Sequence, residues 1–389
     1  MGKGRPRRVA LVASSFHPHT GGVETHVRQV ARELASAGTA VEVWTVDRGE
    51  HLGTTTVDGI TVRYLPTPLP ARRLSSLVRL AGTLPRAALR WREASASFEP
   101  DVLHVQCFGP NGVYALALHR LTGTPLVVTS HGETFADDHG VYDRSALLRK
   151  ALRAAIVRAQ TVTAPTEFVL EGLRARFGLD GGVVVPNGIE RQAPPAEAVE
   201  LPAGRPLVVA VGRVERMKGF DLLLDVLTQP GLEHVHVAIG GTGSQITALR
   251  EQARAAGTAD RVHLLGELSP GQVAAAMAAA DAVVVPSRHE AFGIVALEAW
   301  RAGTPLIGTV NGGMPEFVTD GVDGLLIDPR EPDALAAVLS RVLVDRELTR
   351  RLTAAGKGAA QRLTWGQVTR QYVHLYESAR SDRTGRPDH

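Results

Sequence analysis

The feature that most constrains the fold is an alternation of short apolar runs with longer amphipathic segments. Runs such as RRVALVASS (7–15), AVEVWTVD (40–47) and DVLHVQ (101–106) are rich in β-branched residues and nearly continuous in apolar character. The segment VETHVRQVARELASAG (23–38) has the spacing of an amphipathic helix that ends at Gly38. Nearly continuous apolar strands separated by helices are typical of parallel sheets buried on both faces, so the pattern predicts an α/β fold.

The same pattern starts again after a segment rich in proline, alanine and glutamate, PNGIERQAPPAEAVELPAGRP (186–206). LVVAVGR (207–213) is the first strand of the second series and GLLIDP (324–329) the last. The sequence therefore predicts two successive Rossmann-like units, as a length of 389 residues allows. Their predicted bounds are 1–190 for the first unit, 191–204 for a linker, 205–363 for the second unit, 364–380 for a helix that packs back towards the first, and 381–389 for a tail.

Composition and charge exclude several classes of function. The formal net charge is only +3, so the chain lacks the basic excess of a nucleic-acid-binding protein. The single cysteine, Cys107, excludes a disulfide within the chain and argues against a cysteine zinc site. The apolar run after the basic N-terminus, VALVA (9–13), is too short for a signal peptide, and no run approaches the ~18 apolar residues of a membrane span. We therefore expect a cytoplasmic protein.

Two glycine-containing turns carry groups suited to an anionic ligand. In HTGGVETH (19–26) the glycines let the backbone approach a ligand at a helix start, although a tight turn explains them equally well. In GRVERMKGFDLLL (212–224), Arg213 and Lys218 place two cations near a helix start, which favours a diphosphate site over two solvated charges.

A third turn, GGTGSQ (240–245), is a weak signal. It has Gly241 and Gly243 at the spacing of a dinucleotide-binding loop, but Ile246 stands where that fingerprint needs glycine. We interpret it as a phosphate-side or sugar-side loop and not as an NAD site.

The stretch PSRHEAFGIVALEAW (286–300) holds two glutamates, Glu290 and Glu298. On one continuous helix a separation of eight residues would place them roughly 80° apart. Gly293 lies between them where a helix would begin, so Glu290 is predicted in a loop and Glu298 on the helix. Taken alone, Glu298 is better explained as a solvent-facing helix residue, whereas the position of Glu290 between a strand end and a glycine turn favours a function. The chain has no Asp-x-Asp and no His-Glu metalloprotease motif, so the sequence predicts no metal ion and no other cofactor.

The ordered set of motifs resembles family 4 of the retaining glycosyltransferases, which have the GT-B architecture of two Rossmann-like domains facing across a cleft. The resemblance covers almost the whole chain. It rests on Gly-Gly-Val-Glu (21–24), His131-Gly132, Pro186-Asn187-Gly188-Ile189, Gly212-Arg213 with Lys218-Gly219, the two glutamates, and NGGMPEFVTDGVDGLLIDP (311–329). It implies a metal-independent, retaining transferase that moves a hexose or N-acetylhexosamine from a nucleotide-diphospho-sugar, with UDP expected, to a hydroxyl group.

The resemblance also implies roles for individual residues. The implied catalytic residues are His131 beside the donor sugar, Glu290 on the sugar hydroxyls, and Arg213 and Lys218 on the diphosphate. Glu298 would bind the ribose. The other implied donor-binding residues are Gly21, Gly22, Gly212, Gly241, Leu265, Gly266, Ala291, Phe292, Gly293 and Ile294.

The acceptor is less determined by the sequence. The loop HGETFADDHGVYDR (131–144) carries Glu133, Asp137, Asp138 and Asp143, a cluster that could bind an acceptor bearing amines, such as an aminocyclitol. Glu24 is a further candidate for the acceptor site. A solvated acidic loop is the favoured interpretation of the cluster. Two other classes of function stay open, namely a related enzyme that phosphorylates or epimerises sugars and a nucleotide-sugar-binding protein without catalysis.

The segment ARRLSSLVRLAGTLPRAALRWRE (71–93) raises a lipid or lipid-linked acceptor at a membrane surface as an alternative. At helical spacing, one face carries Arg72, Arg79, Arg86 and Arg90, and the opposite face carries Leu77, Ala81, Leu84, Ala88 and Trp91. Pro85 is predicted to break this helix. A solvated basic face over an apolar core face is the favoured interpretation.

Overall fold

The computed structural model describes residues 7–49, 51–70, 74–135 and 140–384, with the backbone alone for 74–79 and 380–384. The chain divides into two compact units. Unit 1 comprises Met1–Pro186 and Trp365–His389, and unit 2 comprises Asn187–Thr364. Residues 187–190, which the sequence assigned to the first unit, thus lie in unit 2.

The strands are β1 (Arg8–Ala13), β2 (Ala40–Val46), β3 (Thr54–Val57), β4 (Ile60–Leu65), β5 (Val102–Gln106), β6 (Leu126–Thr129), β7 (Thr161–Ala164), β8 (Val183–Val184), β9 (Leu207–Val211), β10 (His236–Gly240), β11 (Val262–Gly266), β12 (Ala282–Val284), β13 (Leu306–Thr309) and β14 (Leu325–Ile327). The helices are α1 (Gly22–Ser36), α2 (Leu74–Phe98), α3 (Pro110–Thr122), α4 (Val141–Arg144), α5 (Ala146–Arg158), α6 (Glu167–Phe177), α7 (Phe220–Asp225), α8 (Ile246–Ala255), α9 (Pro270–Ala279), α10 (Ile294–Ala302), α11 (Pro332–Val344), α12 (Arg346–Ala360) and α13 (Trp365–Thr384).

Unit 1 is built on an eight-stranded sheet in the order β3-β4-β2-β1-β5-β6-β7-β8. Every neighbouring pair is parallel except the β3–β4 hairpin at one edge. Residues Val9 to Ala13 of the central strand β1 are all fully buried, as expected for a strand covered on both faces. The last helix, α13, packs against α1 of the same unit.

Unit 2 has a six-stranded parallel sheet in the order β11-β10-β9-β12-β13-β14. Counted within the unit, this is the doubly wound order 3-2-1-4-5-6 of a Rossmann fold, whose ligands bind at the carboxyl ends of the strands. Val208 and Ala210 of β9 join one buried cluster, while Leu207 and Val209 join another. The sheet is therefore packed on both faces, which explains the continuous apolar run.

Helix α2 corrects a prediction. Pro85 does not break the helix, because α2 runs without interruption from Leu74 to Phe98. Leu84, predicted on the buried face, is 43% exposed, whereas Trp91 of the same predicted face is buried. Arg86 and Arg90 are exposed, while Arg72 and the side chains of Arg79 and Leu77 lie outside what the structure describes. Proline is tolerated here because Ala81, whose carbonyl group loses its helical partner, lies on the exposed side of the helix.

Candidate functional site

Glu290 lies in the segment that joins β12 to α10, and hydrogen bonds fix both its backbone and its side chain. Its N–H donates to the Asn311 carbonyl at 2.9 Å, and its own carbonyl accepts from Gly313 N–H at 2.9 Å. Lys218 Nζ donates to Glu290 Oε2 at 2.7 Å, and Ser287 Oγ donates to the same oxygen at 2.8 Å. The Glu290 side chain is only 9% exposed. One carboxylate oxygen is thus engaged by the protein in a mostly buried position.

Two glycines permit this arrangement. Gly312 has φ +134°, and a Cβ added there would overlap the Glu290 carbonyl oxygen. Gly219 has φ +67°, and a Cβ there would overlap the Pro286 carbonyl oxygen. Both values are in the region that favours glycine. The Asn-Gly-Gly stretch therefore supports Glu290 through backbone contacts that a side chain would block.

The two cations predicted for the diphosphate lie after β9. Lys218 is half-buried and folds against Gly212, where an added Cβ would lie 3.9 Å from Lys218 Cε. Arg213 is exposed, and within the described residues its guanidinium group makes no hydrogen bond or ion pair. An unpaired guanidinium group at the end of a parallel strand is available to an anion.

An ion pair braces the turn that precedes Glu290. Arg288 donates to both carboxylate oxygens of Asp221 at 2.7 Å and 2.6 Å. Burial raises the pKa of Asp221, but the hydrogen bond and charge of Arg288 outweigh it and hold that pKa below its usual range. This geometry joins the turn after β12 to the start of α7.

Gly241, Leu265 and Gly266 meet where three strands end. Gly241 N–H donates to the Gly266 carbonyl at 2.6 Å, and a Cβ added to Gly241 would overlap the Gly212 carbonyl oxygen. The register between β10 and β11 shifts at Ile239/Gly240, so Gly240 pairs with Gly266 and Leu265 lies at the irregularity. Close backbone packing by itself accounts for Gly241.

Helix α10 begins at Ile294, directly after Gly293 with φ +89°. Phe292 is buried and stacks on Phe317 with ring centres 4.3 Å apart, while Ala291 is partly buried. Glu298 lies on the helix and is partly buried. Burial raises the pKa of Glu298, and the charge of Arg301 opposes that shift. The two glutamates therefore lie in different elements with different environments.

In unit 1, His131 follows β6 at the carboxyl edge of the sheet. Its Nε2 lies 2.8 Å from Gln106 Oε1, and its ring lies edge-on to that of His26, with centres 4.7 Å apart. Burial lowers the pKa of His131 well below its ordinary value, and the neighbouring His26 and His104 add to the shift. The imidazole is therefore neutral at physiological pH.

Glu133 is engaged by its own unit. Its Oε1 accepts from Phe108 N–H at 2.9 Å, and its Oε2 accepts from His131 N–H at 2.7 Å and Ser130 Oγ at 2.9 Å. Burial raises its pKa, and these hydrogen bonds oppose the shift. The carboxylate thus ties the end of β5 to the His131 loop.

The other predicted acceptor residues differ in what the structure says of them. Asp137 and Asp138 lie outside the described residues. Glu24 lies in the first turn of α1 and folds back towards Gly21, where an added Cβ would lie 2.6 Å from its Oε2. No hydrogen bond or ion pair to the Glu24 carboxylate occurs within the described part of the chain. Gly22, the next residue after Gly21, is exposed.

The described residues also bear on two other kinds of site, a metal site and a membrane-spanning helix. They contain no group of three or more His, Cys, Asp or Glu side chains arranged to hold a metal ion. None of their helices combines the length and apolar character needed to cross a bilayer.

Comparison with known proteins decides the family. The model "Glycosyltransferase Family 4" matches residues 20–193, and the model "Glycosyl transferases group 1" matches residues 196–359. A D-inositol 3-phosphate glycosyltransferase of Acidothermus cellulolyticus is 31% identical over 97% of this chain and 92% of its own length. The chain belongs to family 4 of the glycosyltransferases. It is therefore a glycosyltransferase.

Further relatives extend this family 4 assignment. A 2-deoxystreptamine N-acetyl-D-glucosaminyltransferase of Streptomyces fradiae is 32% identical over 86% of this chain and 85% of its own length. Among solved structures, a sucrose-phosphate synthase of Thermosynechococcus elongatus aligns with a TM-score of 0.81 and 24% identity, over 97% of this chain and 100% of the other. Anabaena HepE in complex with UDP-glucose aligns with a TM-score of 0.75 and 21% identity, over 95% and 99%. The fold is GT-B, as predicted.

The sequence did not predict several residues of the glycosyltransferase that contact Glu290 or His131. Ser287 and Gly312 position Glu290, and Gln106 contacts His131. The segment containing Gly312 is one of the motifs that carry the family resemblance, but nothing in it indicates which residue it supports. Gln106 ends a predicted strand, where a lone polar residue carries no recognisable signal.

Proposed function

We propose that this glycosyltransferase is a retaining, metal-independent enzyme. It transfers a hexose or N-acetylhexosamine from a UDP-sugar to a hydroxyl group of a small polar acceptor of the aminocyclitol class. The observation that carries the proposal is the pairing of Lys218 with the mostly buried Glu290 at the carboxyl edge of the unit 2 sheet, with Arg213 exposed in the same turn after β9.

The proposed chemistry breaks the bond between the anomeric carbon and the diphosphate oxygen. Negative charge then grows on the leaving phosphate, where Lys218 and Arg213 stabilise it without a metal ion. Glu290 accepts hydrogen bonds from the sugar hydroxyls through the carboxylate oxygen that Lys218 and Ser287 leave open. Glu298, on α10, accepts from the ribose, and the backbone N–H groups at the start of α10 face the phosphates.

Retention follows from attack on the same face of the sugar as the leaving group. The acceptor oxygen forms the new bond to the anomeric carbon, and its proton moves to an oxygen of the departing phosphate. Neutral His131 contacts a hydroxyl of the donor sugar in this scheme and does not form a covalent intermediate.

Two observations support an acceptor that carries amines. Glu24 lies in the first turn of α1 and Glu133 in the loop after β6, so both carboxylates belong to the carboxyl edge of the unit 1 sheet. Their charge favours an ammonium group over a phosphate, although Arg48 acts in the opposite direction on the nearby Cys107. The Streptomyces fradiae relative is named for transfer to 2-deoxystreptamine, an aminocyclitol, while the Acidothermus relative is named for D-inositol 3-phosphate.

The test is acceptor-dependent release of nucleoside diphosphate from a panel of UDP-, GDP- and ADP-sugars. Each donor is offered with 2-deoxystreptamine, with D-inositol 3-phosphate, with a lipid-linked sugar, and without acceptor. We expect release with a UDP-sugar and 2-deoxystreptamine, and a product whose anomeric configuration by NMR matches the donor. Preference for inositol 3-phosphate or the lipid-linked sugar would overturn the acceptor, inversion would overturn the stereochemistry, and no acceptor-dependent release from any donor would overturn transferase activity itself.

A further inference from the structure

Buried hydrogen bonds connect His131 to the last helix of unit 1. His131 Nε2 lies 2.8 Å from Gln106 Oε1, and Gln106 Nε2 lies 3.1 Å and 3.3 Å from the two ring nitrogens of His104. Gln106 and His104 are both fully buried. His104 in turn meets Tyr376 of α13, whose hydroxyl lies 2.6 Å from His104 Nδ1. Buried polar groups must satisfy one another, so this network constrains where each proton lies.

The surroundings of His104 decide which end of the Gln106 amide faces it. Both ring nitrogens already have a hydroxyl partner at 2.6 Å, Tyr376 OH on Nδ1 and Thr129 Oγ1 on Nε2. Thr129 is itself 2.6 Å from Thr163 Oγ1. An amide N–H directed at the electron-rich face of a ring is favourable, whereas an amide oxygen there would be repelled by the π electrons of that face. The NH₂ group of Gln106 therefore faces His104, and its oxygen faces His131.

An amide oxygen can only accept a hydrogen bond. His131 must then carry a proton on Nε2 to donate to it. The ring holds only one proton, because burial together with His26 and His104 lowers the pKa of His131 well below its ordinary value. The other nitrogen, Nδ1, is left as an acceptor, and within the described residues it has no hydrogen-bond partner.

We propose that Gln106 is a positioning residue that fixes His131 in the tautomer with the proton on Nε2, so that Nδ1 accepts a hydrogen bond from a hydroxyl of the donor sugar. This rests on the proposed function for the placement of His131 beside that sugar. A neutral acceptor nitrogen binds a hydroxyl and repels a phosphate oxygen, so His131 recognises the sugar and not the diphosphate. Gln106 thus selects the tautomer of His131. Hydrogen bonds from Gln106 to His104, and from His104 to Tyr376, connect this selection to α13.

The groups that face this network are few and mostly neutral. On α1, His26 lies edge-on to His131, and its Nε2 is 3.2 Å from Tyr372 OH of α13. Burial raises the pKa of Tyr372 to about 12 and lowers that of His104 well below its ordinary value. The nearby carboxylate, Glu133, contacts the backbone N–H of His131. The tautomer is thus predicted to persist across the neutral pH range.

The experiment is nitrogen NMR of the full-length protein labelled with ¹⁵N-histidine, in which protonated and unprotonated ring nitrogens give separate signals. The His131 signals are assigned by their loss in His131→Gln. In the wild-type protein we expect a proton on Nε2, a bare Nδ1, and no titration between about pH 6 and 8. A wild-type ring with its proton on Nδ1 would overturn the proposal directly.

Variants then test the role of Gln106. Gln106→Leu removes the acceptor, so the single tautomer is expected to give way to a mixture, with a loss in kcat larger than the change in donor KM. Gln106→Glu restores an acceptor, so it is expected to recover the wild-type tautomer and to raise the pKa of His131, which adds a new pH dependence to kcat. Lys150→Ala, a change of an exposed side chain on α5 outside the network, is the control and should leave the His131 tautomer unchanged.

The outcomes separate this proposal from the proposed function. An unchanged tautomer in Gln106→Leu would overturn the positioning role whatever the activity. If Gln106→Leu does not fold, Gln106→Glu decides, because a mixed tautomer there is incompatible with the role. A fixed tautomer in a protein that releases no nucleoside diphosphate would keep the positioning role and refute the transferase chemistry.

Discussion

Lys218 Nζ lies 2.7 Å from Glu290 Oε2, although the two residues are 72 positions apart in the chain. The contact joins the turn after β9 to the segment after β12, and these two strands are neighbours in the sheet. The ammonium group that is proposed to stabilise the leaving phosphate is therefore also the group that orients the proposed sugar-binding carboxylate. A change at Lys218 is therefore expected to affect both the proposed stabilisation of the leaving phosphate and the orientation of Glu290.

Lys218→Ala is expected to lower kcat/KM by about 10²–10³-fold, since one preorganised donor to the developing charge is lost. Steady-state kinetics with a saturating acceptor measure the effect. Lys150→Ala, which removes an exposed lysine on α5, is the matched control and should retain full activity. A value of kcat/KM in Lys218→Ala equal to that of the control would contradict the diphosphate role.

Gly312→Ala is expected to reduce activity more than its effect on stability explains. Gly312 and Gly321 both have positive φ, at +134° and +72°. Alanine at Gly321, in the left-handed helical region, costs roughly 1–2 kcal/mol of folding free energy, and alanine at Gly312, outside that region, costs more. A Cβ at Gly312 also overlaps the Glu290 carbonyl oxygen, whereas nothing lies within 4 Å of one at Gly321. Thermal melts and kcat/KM of both variants test this. Equal activities at equal stability would show that Glu290 is not displaced.

Glu298→Gln is expected to separate stability from donor binding. Burial raises the pKa of Glu298, so folding favours the protonated form, and its contribution to stability is present below the unfolded pKa and lost as pH rises through the folded pKa. Glutamine stays neutral, so the melting temperature of the variant should match the wild type below the unfolded pKa of a glutamate. It should exceed the wild type increasingly as pH rises towards the folded pKa, and the difference should then level off. The donor KM should rise, because a carboxylate acceptor for the ribose is lost.

The control for that pH series is Glu251→Gln, which neutralises an exposed carboxylate on α8. Its melting temperature should track the wild type at every pH. A Glu298→Gln protein that becomes progressively less stable than wild type as pH rises would mean that the folded state favours the charged form of Glu298.

Removal of divalent metal ions is expected to leave activity intact. In the proposed chemistry Arg213 and Lys218 supply the positive charge at the leaving diphosphate, the role a metal ion takes in other transferases. The measurement is the rate of nucleoside diphosphate release after dialysis against EDTA, with and without added Mg²⁺ or Mn²⁺. A rate that collapses with EDTA and returns with metal would refute metal independence.

The α/β fold class could be predicted from the sequence because strands buried on both faces consist almost entirely of apolar residues. The uninterrupted apolar run of β1 is buried on both faces, and the second series of strands forms the parallel sheet of unit 2. Helix α2 shows the limit of such reasoning. Pro85 removes one helical hydrogen bond, and the cost is smaller where the freed carbonyl of Ala81 is exposed to water. Residue types alone do not show that this stretch is exposed.

The sequence by itself determined the two α/β units and the turns that carry the glycines, Lys218 and Glu290. What only the tertiary structure decided is which of these groups touch. Lys218 meets Glu290, Gln106 meets His131, and Tyr376 meets His104 across 272 residues. The physical reason is that periodicity records position within one helix or strand, whereas contacts between strand ends depend on sheet order and register, which arise from packing the whole unit.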